Sequence, residues 1–480
     1  SFGGRTHMHG DLKNLAQDLY TQTVAQSKYC VGVGNWTEGL NDNPVNYHLA
    51  LDMNWTAGPI DIHDWLKGYA ACRYGSDKPE LAQAWELLLK GPYRRGGYDY
   101  PSIIAARPGL NPPKSDPNKN WKAKDYYDSR DLVKAWELLL TAVDDCKDSA
   151  GYRFDIADWG RQSMSNLAII YQRRIGNAFI NKDRVALAEA GKQFTALLAD
   201  LDELVSSCPE MLMGKWQADA MSWGTTEKEK AYYASNGVTL PTIWGSDKPD
   251  PKLYDYAWRE WGGFVKTYYM KRWEIFIEEL DKKLVAGEDY MDPQNIYWTR
   301  FPFRADDIHK KLADFEEAYV ANPPAMSATA HGDTYAIAKR LLNKYKSEFQ
   351  KMTPGYTAPV LLKLKNDDLG VAVSSWTRGT YNPTWKTVRF DVTSIIGSQG
   401  TYKVTFLYDG GRSRLDMKNL RILENDVEVD KDIHEGRTGK THEGNVFTLQ
   451  LSRYSLGHKY ELEATVRTNG TRDSNGKIWI

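Results

Sequence analysis

The sequence predicts a multidomain chain in three parts: a β/α unit, then an all-α helical domain, then an all-β sandwich. Three observations predict it. Near the start, a short apolar run is followed by a polar loop and a helix-start signal. From about residue 61 to 352, apolar residues recur with the period of a helix. After Pro354 the period changes to two, with Gly, Asp and Asn between the runs. The chain has 480 residues, and one ordinary domain holds roughly 100–200, so two or three domains are expected.

The stretch 29–34 reads Y-C-V-G-V-G and predicts a buried strand. A polar loop follows. Pro44, at a first helical turn behind a capping Asn43, then opens a helix. Val45, Leu49 and Met53 recur at i+4 and line one helix face. Strand, loop and helix in this order make a unit common to barrels and doubly wound sheets. Ile62, Trp65, Leu66, Tyr69 and Arg73 continue the helical pattern, and Gly75 closes that helix. A-W-E-L-L-L occurs at 84–89 and at 135–140, which predicts two helix faces with Trp in the core. No fixed repeat period surrounds them, so a solenoid is not supported. The intervening loop, 91–124, is long for a compact domain and of the kind that often carries function. Further helices are predicted at 155–180, 183–205, 255–285, 306–319 and 333–351. Beyond the T-P-G-Y-T-A boundary at 353–358, the runs at 401–408, 445–451 and 460–466 predict the strands of a sandwich.

The net charge of −1 argues against a whole-chain nucleic-acid or membrane-surface role. The 17 Trp and 29 Tyr read first as core, since aromatics bury large areas. The other reading is a set of flat faces for sugar rings. Cys30, Cys72, Cys146 and Cys208 contain no C-x-x-C pair, which argues against a zinc site and a dense disulfide framework. Secretion stays compatible with this, because large domains do not need disulfides. No apolar run approaches the roughly 18 residues of a membrane span. The opening S-F-G-G-R-T has no Met and no leader pattern, and reads as the continuation of something longer. P-loop, H-E-x-x-H and Ser-His-Asp patterns are absent, and no cofactor is expected.

The sharpest local feature is V-G-N-W-T-E-G at 33–39. It places Glu38 just past the C-terminal end of the predicted strand, the edge on which barrels build active sites. With Trp36 and Gly39 beside it, this carboxylate suits attack on an anomeric carbon. The plainer alternative is an exposed loop Glu. A retaining glycosidase needs two carboxyl groups about 5–5.5 Å apart, and no convincing second one stands out. Asp42, Asp61 and Asp64 each have a simpler explanation as loop or helix-cap residues. Asp247, Asp250 and Asp255 follow a loop Trp.

A set of short segments then carries a family likeness. Ser1-Phe2-Gly3-Gly4, Gly34 to Leu40, Arg73-Tyr74-Gly75, Tyr152 to Asp155 and Arg161-Gln162 belong to it. So do Trp244-Gly245, Asp255-Tyr256-Ala257, Tyr268-Tyr269, Arg272-Trp273 and Gly332-Asp333-Thr334. In order and spacing they resemble the alpha-N-acetylglucosaminidases, glycoside hydrolase family 89, over about residues 1–350. Ser1 stands where the family usually has Asn.

The resemblance implies a domain plan. Residues 1–60 would be the C-terminal part of a catalytic (β/α)8 TIM-type barrel, 61–352 an all-helical domain completing the active site, and 353–480 a β-sandwich accessory domain. The last part resembles modules appended to secreted bacterial glycosidases. Asp409-Gly410-Gly411, His434-Glu435-Gly436 and Asp473-Ser474-Asn475-Gly476 carry that likeness, and read first as turns.

The implied activity is exo-cleavage of terminal non-reducing alpha-linked N-acetylglucosamine with retention. Glu38, in the E-G-[IL] motif, would be the nucleophile, and the acid/base would come from an upstream barrel part outside these residues. Trp244, Leu253 and Tyr256 would contact the sugar, with Trp36 beside the nucleophile. The expected partners are a glycan ending in N-acetylglucosamine and the N-terminal barrel portion, from the same precursor or a second chain. Neither nucleic acid nor a membrane span is expected, and the expected location is secreted or periplasmic, of bacterial type. A non-catalytic glycan-binding protein and a polysaccharide lyase are the alternatives. The neutral charge balance and the E-G-L loop favour the hydrolase over them.

Overall fold

The computed structural model describes residues 6–32, 34–35, 42–56, 58–95, 102–110, 127–244, 255, 257–290, 306–352, 371–438 and 446–480. They fall into two compact units, 6–352 and 371–480.

The first unit opens with β1 (Gly10–Asp11), α1 (Leu12–Asp18) and α2 (Pro44–Asp52). Next come α3 (Ile62–Tyr74), α4 (Pro79–Lys90) and β2 (Arg94–Arg95), which pairs antiparallel with β1. Helices α5 (Ser129–Leu140), α6 (Val143–Cys146), α7 (Ala150–Ile180), α8 (Arg184–Ser206), α9 (Met213–Met221) and α10 (Glu227–Thr239) follow. The unit ends with α11 (Met270–Ala286), α12 (Asp307–Ala321) and α13 (Thr334–Phe349). Most of these helices start where the sequence supplies a cap. Asp61, Asp128, Ser149, Asp183, Asp306 and Asp333 each accept a first-turn amide. Thr226 and Glu229 form a reciprocal capping box on α10. Gly75, at φ 73°, closes α3 in the left-handed region as its position predicts.

Helix α7 is the axis of this unit. It packs against α8, α5, α13, α3 and α11 and buries residues all round its circumference, as a helix without a solvent face must. Both A-W-E-L-L-L segments turn Trp85 and Trp136 into the core. Arg73 of α3 donates from Nε (2.6 Å) and Nη2 (2.8 Å) to Asp155 of α7. Tyr74 donates to the same carboxylate, and Trp85 donates to the Tyr74 hydroxyl. These bonds tie the R-Y-G, A-W-E-L-L-L and Y-R-F-D segments into one buried chain.

Three expectations are corrected and one is refined. Residues 29–32 and 34–35 are not a buried strand but irregular chain, with Tyr29 90% exposed. A strand exists only through its neighbours, and among the described residues none pairs with this run. Asn43 occupies the N-cap position of α2 but makes no capping bond, because its amide is used elsewhere. Helix α11 does not begin at Asp255. Residues 257–262 are irregular, and helical backbone starts only after Gly263, at φ 80°. A Cβ on Gly262 would lie 2.4 Å from the Ser206 hydroxyl, which forces close backbone contact there. Finally, residues 102–110 of the long loop are buried throughout. Gln172 donates to the Gly109 carbonyl (2.9 Å), so this stretch is a strap threaded among helices.

The second unit holds two antiparallel sheets. In chain order the strands are β3 (Ala372–Trp376), β4 (Lys386–Asp391), β5 (Gly400–Gly411), β6 (Leu415–Glu424), β7 (Val427–Arg437), β8 (Val446–Leu451), β9 (Tyr460–Thr468) and β10 (Ser474–Trp479). One sheet is ordered β3-β10-β5-β8 and the other β4-β9-β6-β7. Residues of both sheets, among them Phe406, Phe447, Met417 and Leu462, share one apolar core. On β8 buried and exposed residues alternate as predicted. On β9 they do not, because Arg389 and Arg421 cover Glu463 on its other face. The D-G-G, H-E-G and D-S-N-G segments run into strands rather than forming turns. A Cβ on Gly476 would sit 2.3 Å from the Trp376 ring, so packing explains that glycine.

Two glycines in helices give opposite expected outcomes. Gly160→Ala would place its methyl 2.6 Å from Trp136 and 2.8 Å from Leu204, and should cost about 1–3 kcal/mol. Gly68→Ala, exposed on α3 with nothing within 4 Å, should stabilise by about 1 kcal/mol. Denaturant unfolding of both variants checks the pair.

Candidate active site

Glu38, Trp36, Leu253 and Tyr256 lie outside the described residues. The segments flanking them are described, and these build two buried polar networks.

The first flank is the start of α2. Asn43 Nδ2 donates to the His7 carbonyl (2.9 Å), and its Oδ1 accepts from the His9 amide (3.0 Å) and the Tyr93 hydroxyl (3.2 Å). One turn on, Asn46 donates to the His9 carbonyl (2.9 Å). The Asn46 amide occupies the space a Cβ at Gly10 would need. This pairing with segment 7–10 is what takes Asn43 away from capping.

The second flank is the middle of α7. Gln162 Oε1 accepts from the Met8 amide (2.9 Å), and its Nε2 lies 3.3 Å from the His7 ring. Arg161 is fully buried. It donates from Nη1 to Glu260 (2.7 Å), from Nε to Asp158 (2.8 Å) and from Nη2 to Gln162 (3.2 Å). Ser165 donates to the other oxygen of Glu260 (2.7 Å).

The third flank is 257–262. The Glu260 amide donates to the Thr6 hydroxyl (3.2 Å), and Trp258 packs edge-on to His7. Arg259 donates from Nη1 to the carbonyls of Ala257 (3.2 Å) and Trp258 (3.1 Å), with its guanidinium 5.3 Å from the Trp261 ring centre. Its ion pair with Asp42 is stretched to 4.0 Å. That is a charge contact beyond hydrogen-bond reach, and Asp42 Oδ2 is buried without a hydrogen-bond partner among the described residues. Burial pushes the Asp42 carboxyl up to about 6, with Arg259 pulling it down and Asp158 adding to the rise.

The fourth flank carries the loop residues. Trp244 lies five positions past α10 and is 37% exposed. The segment it begins is closed at its base, where the Asp255 amide donates to the Thr242 carbonyl (2.7 Å). Asp255, in the left-handed region at φ 51°, is gripped by Arg272 Nη1 through both oxygens (3.0 and 2.9 Å). Arg272 also binds Glu316 (3.1 Å) and the carbonyls of Ala105 and Ala106, and Glu316 binds Arg107 (2.7 Å). One buried cluster therefore fixes both the 102–110 strap and the base of the Trp244 segment.

A cleft of about 420 Å³ between the ends of α2 and α3 is lined by Asp52, Trp55, Ile60, Asp61, Asp64 and Trp65 among others. None of the residues nominated from sequence lines it. Asp42, set aside there as a loop residue, and Arg259, not singled out, are the additions. Their only sequence signal is a charge beside a family-like segment.

Residues 65–344 match the family model described as alpha-N-acetylglucosaminidase (NAGLU) C-terminal domain. The chain belongs to the alpha-N-acetylglucosaminidase family. Residues 1–57 match that family's TIM-barrel domain model. Human alpha-N-acetylglucosaminidase is 29% identical over 349 residues, covering 72% of this chain and 44% of the human protein. A family 89 glycoside hydrolase from Clostridium perfringens, solved with PUGNAc, is 29% identical at TM-score 0.61, covering 72% of this chain and 38% of that one. The same organism's enzyme, solved with its substrate GlcNAc-alpha-1,4-galactose, is 27% identical at TM-score 0.62, covering 73% and 39%. The chain thus spans less than half the length of these relatives. In terms of the alpha-N-acetylglucosaminidase models, the Met8–Gln162, Thr6–Glu260 and Asp42–Arg259 contacts all join barrel-matched to C-terminal-domain residues.

Arg161→Met leaves Asp158 and Glu260 buried without their counter-charge. It should cost about 3–5 kcal/mol in denaturant unfolding. For Asp42 the sign follows from a folded value near 6 against an ordinary value of 3.8. Between these the folded state holds a proton that the unfolded chain releases. Stability should therefore fall as pH rises from about 4 to 6, by up to about 1.4 kcal/mol per unit from this group, and level off above. Asp42→Asn should flatten that slope.

Proposed function

We propose that residues 1–480 are the C-terminal part of a retaining exo-glycosidase that removes terminal non-reducing alpha-linked N-acetylglucosamine from glycans. Family membership carries the reading. Its support is that relatives at similar identity are an alpha-N-acetylglucosaminidase and a glycoside hydrolase bound to N-acetylglucosamine mimics and to a GlcNAc-alpha-galactose substrate.

In this reading Glu38 attacks the anomeric carbon while an acid protonates the departing oxygen and the glycosidic bond breaks. The same group then takes a proton from water. The water oxygen bonds to the anomeric carbon and frees Glu38, so configuration is retained. The acid/base belongs to an upstream barrel portion, in the same precursor or a docked second chain. Tyr29, Val31 and Trp55 support this, since all three stand almost wholly exposed on barrel-matched residues. Large apolar side chains left this exposed suit a surface that something else covers. Trp244, Leu253 and Tyr256 contact the sugar from the helical side, with Trp36 beside the nucleophile. A secreted or periplasmic location belongs to the same proposal.

The test is Glu38→Gln in the full-length protein. Covalent labelling by a mechanism-based N-acetylglucosamine reagent should disappear, and turnover of an aryl alpha-N-acetylglucosaminide should fall at least about 10³-fold. Wild-type labelling mapped to another residue would sink the assignment.

A further inference from the structure

We propose that Asp42 and Arg259 form a clamp for one ring hydroxyl of the bound pyranose, a polar subsite beside the nucleophile loop. The proposal rests on the glycosidase reading above. Its geometry is independent of that reading.

The two groups come from parts of the chain far apart in sequence, and each is more than nine-tenths buried. Buried ionic partners normally close to hydrogen-bond distance, as Arg161 and Glu260 do at 2.7 Å. Asp42 and Arg259 stop at 4.0 Å, and among the described residues Asp42 Oδ2 has no hydrogen-bond donor. A buried carboxylate oxygen without a donor is costly and calls for an occupant. Arg259 is not free to swing in and close the gap. Two backbone carbonyls hold Nη1, and Trp261 backs the guanidinium. Trp261 is itself braced edge-on by Trp216, whose indole N–H donates to the Gly237 carbonyl (2.8 Å).

An oxygen about 2.8 Å from each group fits, since twice that reach exceeds the gap. It must both donate, to Asp42, and accept, from an Arg259 N–H other than the Nη1 hydrogens that the two carbonyls hold. A hydroxyl does both. An amide N–H cannot accept, and a carboxylate cannot donate. The Trp258 indole N–H, one residue from Arg259, is a buried donor without a partner among the described residues. The arrangement therefore suits a polyhydroxylated ring. Asp42 is the fourth residue after Glu38, so the clamp lies within one short loop of the proposed nucleophile.

The test uses the full-length protein, aryl alpha-N-acetylglucosaminide, and its 3-, 4- and 6-deoxy analogues. Wild type should lose about 10–100-fold in kcat/KM on one analogue, the cost of a hydrogen bond to a charged group. Asp42→Ala should show that loss already on the parent sugar, with less than about 3-fold further loss on the same analogue. Asp42→Asn, which keeps the volume, and Arg259→Gln, which keeps an N–H donor, serve if the alanine variant does not fold; they should show the same collapse of selectivity. Undiminished selectivity in folded variants, or equal losses across the whole panel, would mean the pair is structural and overturn the clamp. Failure of the wild type to turn over the parent sugar would instead remove the glycosidase reading, and the clamp with it.

Discussion

The ion pair between Arg161 and Glu260 is the constraint on which the rest of the first unit depends. Both side chains are wholly withdrawn from water. Desolvating two charges is repaid only when nearly every remaining donor and acceptor finds a partner. Here Asp158, Gln162 and Ser165 supply those partners from the same helix. The adjoining backbone amides of Met8 and Glu260 then join the network. Such a cluster adds little net stability over an apolar one of equal volume. What it adds is register. A shift of α7 by one residue would strand a charge in the core, so the barrel-matched segment has one way to sit against the helices.

The abundance of tryptophan has a divided explanation. Trp85, Trp136, Trp159, Trp258, Trp273 and Trp376 are core residues. Several ride on a polar handle, as Trp85 does on Tyr74, Trp136 on the Ile156 carbonyl and Trp376 on Ser474. The minority left with exposed faces, including Trp55, Trp216, Trp223 and Trp244, lie outside that core. Composition alone could not separate the two groups, because the separation depends on which helix faces meet.

What was legible in the sequence follows the same division. The helices around Ile62, Ala84, Ala135 and Arg184 were readable because period and cap lie within a few residues of each other. The period-two strands β5, β8 and β9 were readable for the same reason. The misreadings fall where a residue's partner is distant. Asn43 has good capping chemistry, but its amide bonds to His7 and His9. The 29–34 run has strand composition without a neighbour to pair with. Asp255 looks like a helix cap and instead answers to Arg272 in a left-handed turn. Around the proposed site, family-like segments nominated Glu38 and the Trp244 loop. The pairing of Asp42 with Arg259 had no local signal at all.

The bond from the Glu260 amide to Thr6 spans 254 positions of chain. Ribosomes add about 5–20 residues per second, so Thr6 waits roughly 13–50 s for its donor to be made. Gln162, which holds Met8, also comes long after it, 154 positions on. Through that interval Thr6 and Met8, both buried at the end, stay without these two partners. This part of the native packing is therefore late by the arithmetic of translation, whatever the final stability of the fold. Synonymous changes that slow decoding between residues 162 and 260 would lengthen that exposure without altering a single side chain.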